Sequence, residues 1–479
     1  MNQCMSFLPK CIGSVSVAIV LGGCAMLPAL GDLPEPKGIA DYQTTAAFDA
    51  PTSNWPDEQW WKKYADPQLA VLINEALQAS PDMAAAVARL RSAEAVSQVA
   101  GAARLPQISL NTSLTEEKMS YNAITPRSMT PSGWQDYGRM SLDFNWEIDF
   151  WGKNREALAA ATSELEARKA DLAQARLTLT TAIAGNYAEL AYWYVARDTA
   201  AKAVEVRSKT AGLFAEKYAN GLETQGSVRQ ADAVLAAAEG EVLRIDEEIG
   251  LLKYRIAALV GGGPDRGLRI ERPKVNFTQA PGLPGELAAS LLGRRPDIVA
   301  ARLQAEAQRH RVGEKKAEFY PNINLSAAIG TYAWGIDRLF RDGSFIGSVG
   351  PAISLPIFTA GRLQGQLKGA YAGYEAAVAN YDQAITRALH EVADAALSRK
   401  ALVGRLHKGE EVVAAAADAY RIAQNRYEGG VSSYLEVLTA EDTLLTNLNS
   451  LTYLQSRAFI LDIALVKALG GGYQPTTNN

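Results

Sequence analysis

The sequence predicts a mainly α-helical protein that also carries four membrane β-strands, which several copies of the chain complete into a barrel. Three observations predict this fold class. Four segments alternate apolar and polar residues, as strands with one wet face do. Two proline-free stretches with helical periodicity are far longer than ordinary helices. The same plan also occurs twice along the 479 residues, as two internal structural repeats.

The N-terminus reads as a lipoprotein signal peptide over residues 1–23. Lys10 precedes the apolar run "CIGSVSVAIVLGG", which is too short to span a bilayer. The run ends in "LGGC", which resembles a bacterial lipobox and implies a covalent lipid on Cys24. The alternative is an ordinary signal sequence with an incidental cysteine. Ala25 rather than Asp follows, which by analogy with other bacterial lipoproteins favours the outer membrane.

Composition excludes two classes of protein. The net charge is −4 and 21% of residues are charged, so the chain has no nucleic-acid-binding footprint and we expect no nucleic acid among its partners. The three cysteines are Cys4, Cys11 and Cys24, so no disulfide framework holds the rest of the chain.

The repeat sets the predicted domain boundaries. "SPDMAAAVARL" at 80 corresponds to "RPDIVAARLQA" at 295, and "YANGLETQGSV" at 218 corresponds to "YEGGVSSYLEV" at 427. We therefore expect a lipid-anchored segment at 24–66, repeat 1 at 67–260, repeat 2 at 286–470 and a tail at 471–479. A Pro- and Gly-rich linker at 261–285 separates the repeats. Its glycines do not form a phosphate loop, because no strand precedes them and no Lys-Ser/Thr follows.

Each repeat contains two predicted strands. In "GRMSLDFNWEIDF" apolar residues from Met140 to Phe150 alternate with polar ones, and "FIGSVGPAISLPIF" behaves alike. The other two strands follow Pro106 and Pro321, which end the preceding helices. Alternation also fits half of a soluble antiparallel sheet. Strand length near 9–11 residues and aromatic residues at the strand ends favour a membrane sheet.

Hydrogen bonding then requires more than one copy. Lipid does not tolerate open strand edges, and closure takes at least about eight strands. Four strands per chain therefore predict an oligomer.

The long helices run from Gly152 to about Tyr218 and from Gly361 to Tyr427. At 1.5 Å per residue each would extend about 100 Å. Each is followed by a turn, "YANG" or "YEGG", and a returning helix. The pattern is typical of a coiled coil and predicts an elongated helical wall.

Together these features resemble the TolC/OprM-type outer-membrane efflux proteins, in their lipoprotein, NodT-like branch. The resemblance covers about residues 55–470 and rests on the lipobox, "YPNINL", "LPIFTAGR", "YEGGVSSYLEVLTAEDTLL" and "KALGGGY", in that order. It implies a homotrimer with four strands per protomer, whose barrel in outer-membrane lipid continues into a helical periplasmic tunnel. It further implies a periplasmic adaptor (membrane fusion) protein and an inner-membrane pump of proton-driven type as partners, and drugs or other small toxic compounds as cargo.

The resemblance also places a gate after the second turn. Family members commonly carry acidic residues at one or both of the positions held here by Glu436 and Thr439. Glu436 would form a ring of carboxylates, with Glu441 and Asp442 one turn further on, and Leu435 would supply an apolar constriction. The alternative is that Glu436 is only an exposed helix residue.

Two turn tyrosines complete the expected site. Tyr427 would tether the closed state through its hydroxyl, and Tyr218 is the matching residue of the first turn. Ser432 stands where family members often have a lock arginine, so that part of the family's gate is in doubt here.

The sequence offers little for catalysis. His310, His390 and His407 lie in helical stretches without a second ligand at i+4 or a cysteine partner, so we expect no metal site. No nucleophile motif is present, and we expect no catalytic residues and no cofactor beyond the lipid. The remaining alternative is a coiled-coil envelope scaffold lipoprotein without a pore, which would not need alternating strands.

Overall fold

The computed structural model of the chain describes residues 27–44, 46–48, 52–274, 283–284 and 287–475. The predicted signal peptide and Cys24 lie outside these residues. The principal elements are, in chain order, α1 (Pro67–Ala79), α2 (Pro81–Ala102), β1 (Gln107–Glu117), β2 (Gln135–Glu147), α3 (Lys153–Ala219), α4 (Gln225–Leu259), α5 (Pro264–Leu268), α6 (Leu287–Arg294), α7 (Pro296–Ala317), β3 (Asn322–Trp334), β4 (Phe345–Ser354), α8 (Arg362–Glu428) and α9 (Tyr434–Ala468).

The chain divides into two compact units, and each takes segments from both halves of the sequence. The first contains the chain up to Pro36, Arg91–Ala167 and Ala301–Asn380. The second contains Lys37–Leu90, Arg168–Ala300 and Tyr381–Asn479.

The first unit contains a four-stranded antiparallel sheet in the order β1-β2-β3-β4. The register pairs Leu110 with Leu142, and Leu142 in turn with Ile329. Residues paired across strands share one face, so the predicted apolar positions of all four strands fall on the same side of the sheet. All four strands predicted from alternation are confirmed as strands.

The two faces of this sheet differ in polarity. The apolar face is exposed at many positions: Ile108, Leu110, Leu114, Leu142, Ile329, Phe345, Val349 and Ile353. On the other face Asp143 accepts hydrogen bonds from Asn111 Nδ2 at 2.7 Å and from Ser141 Oγ at 3.0 Å. Among the described residues, β1 and β4 each pair with a strand on one side only.

The long helices have the predicted extent. α3 and α8 contain 67 residues each, and α4 and α9 contain 35 each. The predicted long segments, Gly152 to Tyr218 and Gly361 to Tyr427, differ from the observed bounds by one residue at each end. Helical periodicity without proline is therefore sufficient to locate these elements.

The main core of the second unit packs α1 against α3 and α4. Leu72, Ile73, Ile183 and Ile256 are fully buried there. The unit also holds a buried polar cluster in which the Tyr64 hydroxyl donates to Asp462 Oδ2. Arg399 Nη1 lies 3.3 Å from the other oxygen of Asp462.

Two smaller features complete the fold. Within the predicted linker, α5 forms a short helix, and Leu283–Pro284 pairs in parallel with Thr52–Ser53. Among the helices that the structure describes, none combines the length and apolarity needed to cross a bilayer.

Candidate functional site

The two helical turns have the same backbone geometry. In the second turn Gly430 has a φ of 72° and its N–H donates to the carbonyl of Tyr427 at 3.0 Å. In the first turn Gly221 has a φ of 70° and donates to the carbonyl of Tyr218 at 2.9 Å. Glycine adopts this left-handed conformation at no steric cost, which is why each helix can end and turn back there.

An aromatic cluster joins the second turn to α3. The ring of Tyr434 lies 5.2 Å from that of Tyr427 and 4.8 Å from that of Phe214. The Tyr434 hydroxyl donates to Thr210 Oγ1 at 2.6 Å. Burial raises the pKa of Tyr434 to about 12, so this hydroxyl keeps its proton at neutral pH.

The predicted latch tyrosine of the second turn has a partner that the sequence did not indicate. Lys217 Nζ, at the end of α3, donates to the Tyr427 hydroxyl at 2.7 Å, and it lies 4.7 Å from the ring centroid. The contact therefore joins the end of α3 to the end of α8. Tyr218, the matching residue of the first turn, is 47% exposed.

Three of the predicted gate residues lie at the surface where α9 begins. Leu435 is 61% exposed, and Thr439 is exposed with its hydroxyl donating to the Leu435 carbonyl at 2.8 Å. Glu436 lies in the first turn of α9, where the helix dipole favours a negative charge. Its carboxylate is half exposed, 3.9 Å from an Arg426 guanidinium nitrogen. These side chains are therefore available to face water or a neighbouring copy.

The other two predicted gate residues lie in a different environment. Glu441 is 4% exposed, whereas the side chain of Asp442 is 65% exposed. Burial raises the pKa of Glu441, and the positive charge of Arg207 opposes this shift. The structure thus separates Glu441 from the exposed residues that were predicted with it.

Arg207, like Lys217, is a residue of this region that the sequence did not indicate. Its Nε lies 3.5 Å from Glu441 Oε1, and its guanidinium also donates to Asp442. The only sequence signal is position, since Arg207 and Asp442 lie at similar distances along their helices from the two turns.

Two of the three histidines lie beside single carboxylates, and His390 is exposed. His310 Nδ1 is 2.7 Å from Glu156, and His407 Nε2 is 3.0 Å from Glu411. Over the residues that the structure describes, no group of three or more His, Cys, Asp or Glu side chains could hold a metal ion.

Comparison with known proteins gives the family. A model of the "Outer membrane efflux protein" family matches residues 72–262 and 287–471. The chain is 35% identical over 373 residues to the fusaric acid resistance protein FusA of Burkholderia cepacia, covering 75% of this chain and 68% of FusA. It is 30% identical over 484 residues to the multidrug resistance outer membrane protein MdtQ of Escherichia coli O6:H1, covering 98% and 99% of the two chains.

A solved structure agrees with this result. The outer membrane protein VceC of Vibrio cholerae matches with a TM-score of 0.83 and 50% identity, covering 88% of this chain and 100% of that one. The family resemblance and the outer-membrane localisation predicted from the sequence are confirmed. This chain belongs to the outer membrane efflux protein family.

Proposed function

We propose that the chain is one protomer of a homotrimeric, lipid-anchored duct that carries small toxic compounds through the outer membrane. The observation that carries this proposal is the sheet of the first unit. It has one continuous apolar face that is exposed and two strands that pair on one side only, within the part of the chain that the structure describes.

The apolar face supports contact with lipid. Leu110, Val349 and Ile353 are each at least 66% exposed. A soluble protein rarely leaves so many large apolar side chains together in water. Hydrocarbon around the sheet would satisfy them, as the outward faces of membrane strands are satisfied.

The edge strands support a shared barrel. Backbone groups at an open strand edge cannot be left unpaired in hydrocarbon. If β1 of one copy pairs with β4 of the next, a closed ring removes every edge. Three copies, as the family resemblance implies, would give the membrane barrel more than the minimum number of strands.

The helices support the second part of the duct. We propose that α3, α4, α8 and α9 of three copies form the periplasmic tunnel, and that the second turn closes it. Glu436 would supply a carboxylate ring, Leu435 and Thr439 the neighbouring wall, and Tyr427 the latch. The two repeats, 67–260 and 286–470, would each contribute half of the strands and half of the wall, and the equal helix lengths support this division.

The lipid anchor belongs to the same proposal. Cleavage after residue 23 and lipid on Cys24 would fix segment 24–66 at the inner surface of the outer membrane. We propose no other cofactor.

Partners and cargo follow from the family. The relatives are described as multidrug and fusaric acid resistance proteins, which supports drugs or similar organic compounds as cargo. A proton-driven inner-membrane pump and a periplasmic adaptor would supply energy and most of the selectivity. The duct itself would be passive and not an enzyme. A coiled-coil scaffold without a pore remains the rival, and the exposed apolar sheet face favours the duct, since a scaffold has no use for it.

The test uses the full-length, lipidated protein. Detergent-extracted protein should have the mass of a trimer, and a cysteine pair linking β1 to β4 should crosslink only between chains. Planar bilayers should show a small, mostly closed, cation-selective conductance. A cysteine pair linking β2 to β3, which are neighbours in one chain, is the matched control and should crosslink within chains. A monodisperse monomer that keeps all its β-structure, or a trimer that never conducts, contradicts the duct.

A further inference from the structure

Arg207 of α3 faces two consecutive carboxylates of α9. Its Nε lies 3.5 Å from Glu441 Oε1, and its guanidinium donates to Asp442. α3 turns back into α4, and α8 turns back into α9, so the two helices belong to different hairpins. The cluster therefore joins one hairpin to the other.

Burial makes the contact between Arg207 and Glu441 depend on their opposite charges. The side chains of Arg207 and Glu441 are 15% and 5% exposed. Among the described residues, both carboxylate oxygens of Glu441 lack a hydrogen-bond partner. The Nε of Arg207 lacks one as well. A buried carboxylate without hydrogen bonds depends on its ion-pair partner to stay in place.

The other titratable groups around Glu441 do not replace Arg207. Tyr420 of α8 and Tyr434 of α9 face it, but a tyrosine is neutral at physiological pH, and burial raises the pKa of both further. Asp442 is negative and repels it. Arg207 is thus the cation that neutralises Glu441 in this cluster.

We propose that Arg207 is a positioning residue that clamps the first turns of α9 against α3 and so sets the closed position of the second turn. Without its guanidinium, Glu441 can stay ionised only by reaching water, and the start of α9 must then move with it. Leu435 and Glu436 lie on the same rigid turns of α9 and would move as well. The functional readout of this proposal rests on the proposed duct.

Four proteins test the clamp in planar bilayers: the unmodified chain, Arg207→Met, Glu441→Gln and the double variant. Arg207→Met leaves a buried charge unpaired and should raise the open probability about tenfold or more. Glu441→Gln should change it little. The double variant should return to within about twofold of the unmodified chain, because a neutral amide no longer needs the cation. A purely packing role for Arg207 predicts no such rescue.

Arg229→Met is the matched control. Arg229 also pairs with an aspartate, Asp232, but within one helix and with 74% of its side chain exposed. Its removal should leave the open probability unchanged.

Hydrogen exchange of residues 434–445 in the same full-length proteins separates the clamp from the duct. Faster exchange in Arg207→Met that is reversed in the double variant supports the clamp. If no variant conducts, the proposed duct is contradicted, but this exchange result still supports the clamp. The clamp is overturned if exchange in Arg207→Met is unchanged, or if the double variant exchanges as fast as Arg207→Met. Neither result contradicts the proposed duct.

If Arg207→Met does not assemble, Arg207→Lys replaces it. The lysine ammonium keeps the positive charge but lacks the planar fork of N–H donors of the guanidinium, so the open probability should rise about threefold and fall again when Glu441→Gln is added. A lysine variant that behaves like the unmodified chain shows that the positive charge is sufficient for the clamp, whereas one whose raised open probability is not reversed by Glu441→Gln overturns the clamp.

Discussion

Removing the carboxylate of Asp462 should destabilise the second unit strongly. Asp462 is 6% exposed and accepts a hydrogen bond from the buried Tyr64 hydroxyl. It also lies 3.3 Å from Arg399, whose side chain is 14% exposed. Burial lowers the pKa of Arg399 and the negative charge of Asp462 opposes that shift, so the guanidinium depends on this carboxylate.

The magnitude follows from what each partner loses in Asp462→Ala. Arg399 becomes a buried cation without its anion, which costs about 3–5 kcal/mol of unfolding free energy. Lys63, also 2.6 Å from Asp462, is 43% exposed and can turn to water, so its ion pair adds less than about 1 kcal/mol. The buried Tyr64 hydroxyl also loses its acceptor, at about 1–3 kcal/mol, so we expect a loss of about 4–9 kcal/mol in total.

Denaturant unfolding of the detergent-solubilised protein, followed by circular dichroism, measures this loss. Asp418→Ala is the control, because Asp418 is 71% exposed and pairs with an exposed arginine of its own helix, and it should change stability by less than about 0.5 kcal/mol. Adding Arg399→Met to Asp462→Ala should recover at least half of the loss. An Asp462→Ala protein within about 1 kcal/mol of the unmodified chain would refute the reasoning.

Three further outcomes concern the anchor and the gate. Cys24→Ala should abolish incorporation of radioactive palmitate without preventing barrel insertion, and label persisting in the variant contradicts the lipobox. Glu436→Ala should lower cation selectivity in bilayers, and if it leaves ion preference unchanged, the carboxylate ring lies elsewhere. Tyr427→Phe should raise the open probability about fivefold, because it loses about 1 kcal/mol of hydrogen bonding to Lys217 but keeps its ring contacts.

Local pattern predicts the elements of this fold because each element satisfies its own rule. The four strands follow from alternation, and β1 and β3 begin just after Pro106 and Pro321, as expected from proline's effect on a preceding helix. The long helices follow from unbroken periodicity, and their ends from the glycines of the turns. None of these rules needs a partner element.

The site depends on partners, which the sequence does not reveal. The family resemblance places Glu441 at the gate because it lies one turn beyond Glu436, and a carboxylate on a helix is usually solvated. Its burial depends on how α9 packs on α3, and nothing in the local pattern selects Arg207 from the other cations of the chain. The partner of Tyr427, Lys217, is distant in sequence for the same reason.

The equal lengths of α3 and α8 restrict how this chain can change in evolution. Lys217 and Tyr427 meet near the ends of these two helices, each 67 residues long. Deleting one residue from α3 alone would withdraw Lys217 by about 1.5 Å and rotate it by about 100° around the helix. An insertion or deletion tolerated in one long helix therefore needs an equal change in the other. α3 and α8 are free to diverge in residue type, but their lengths must change together.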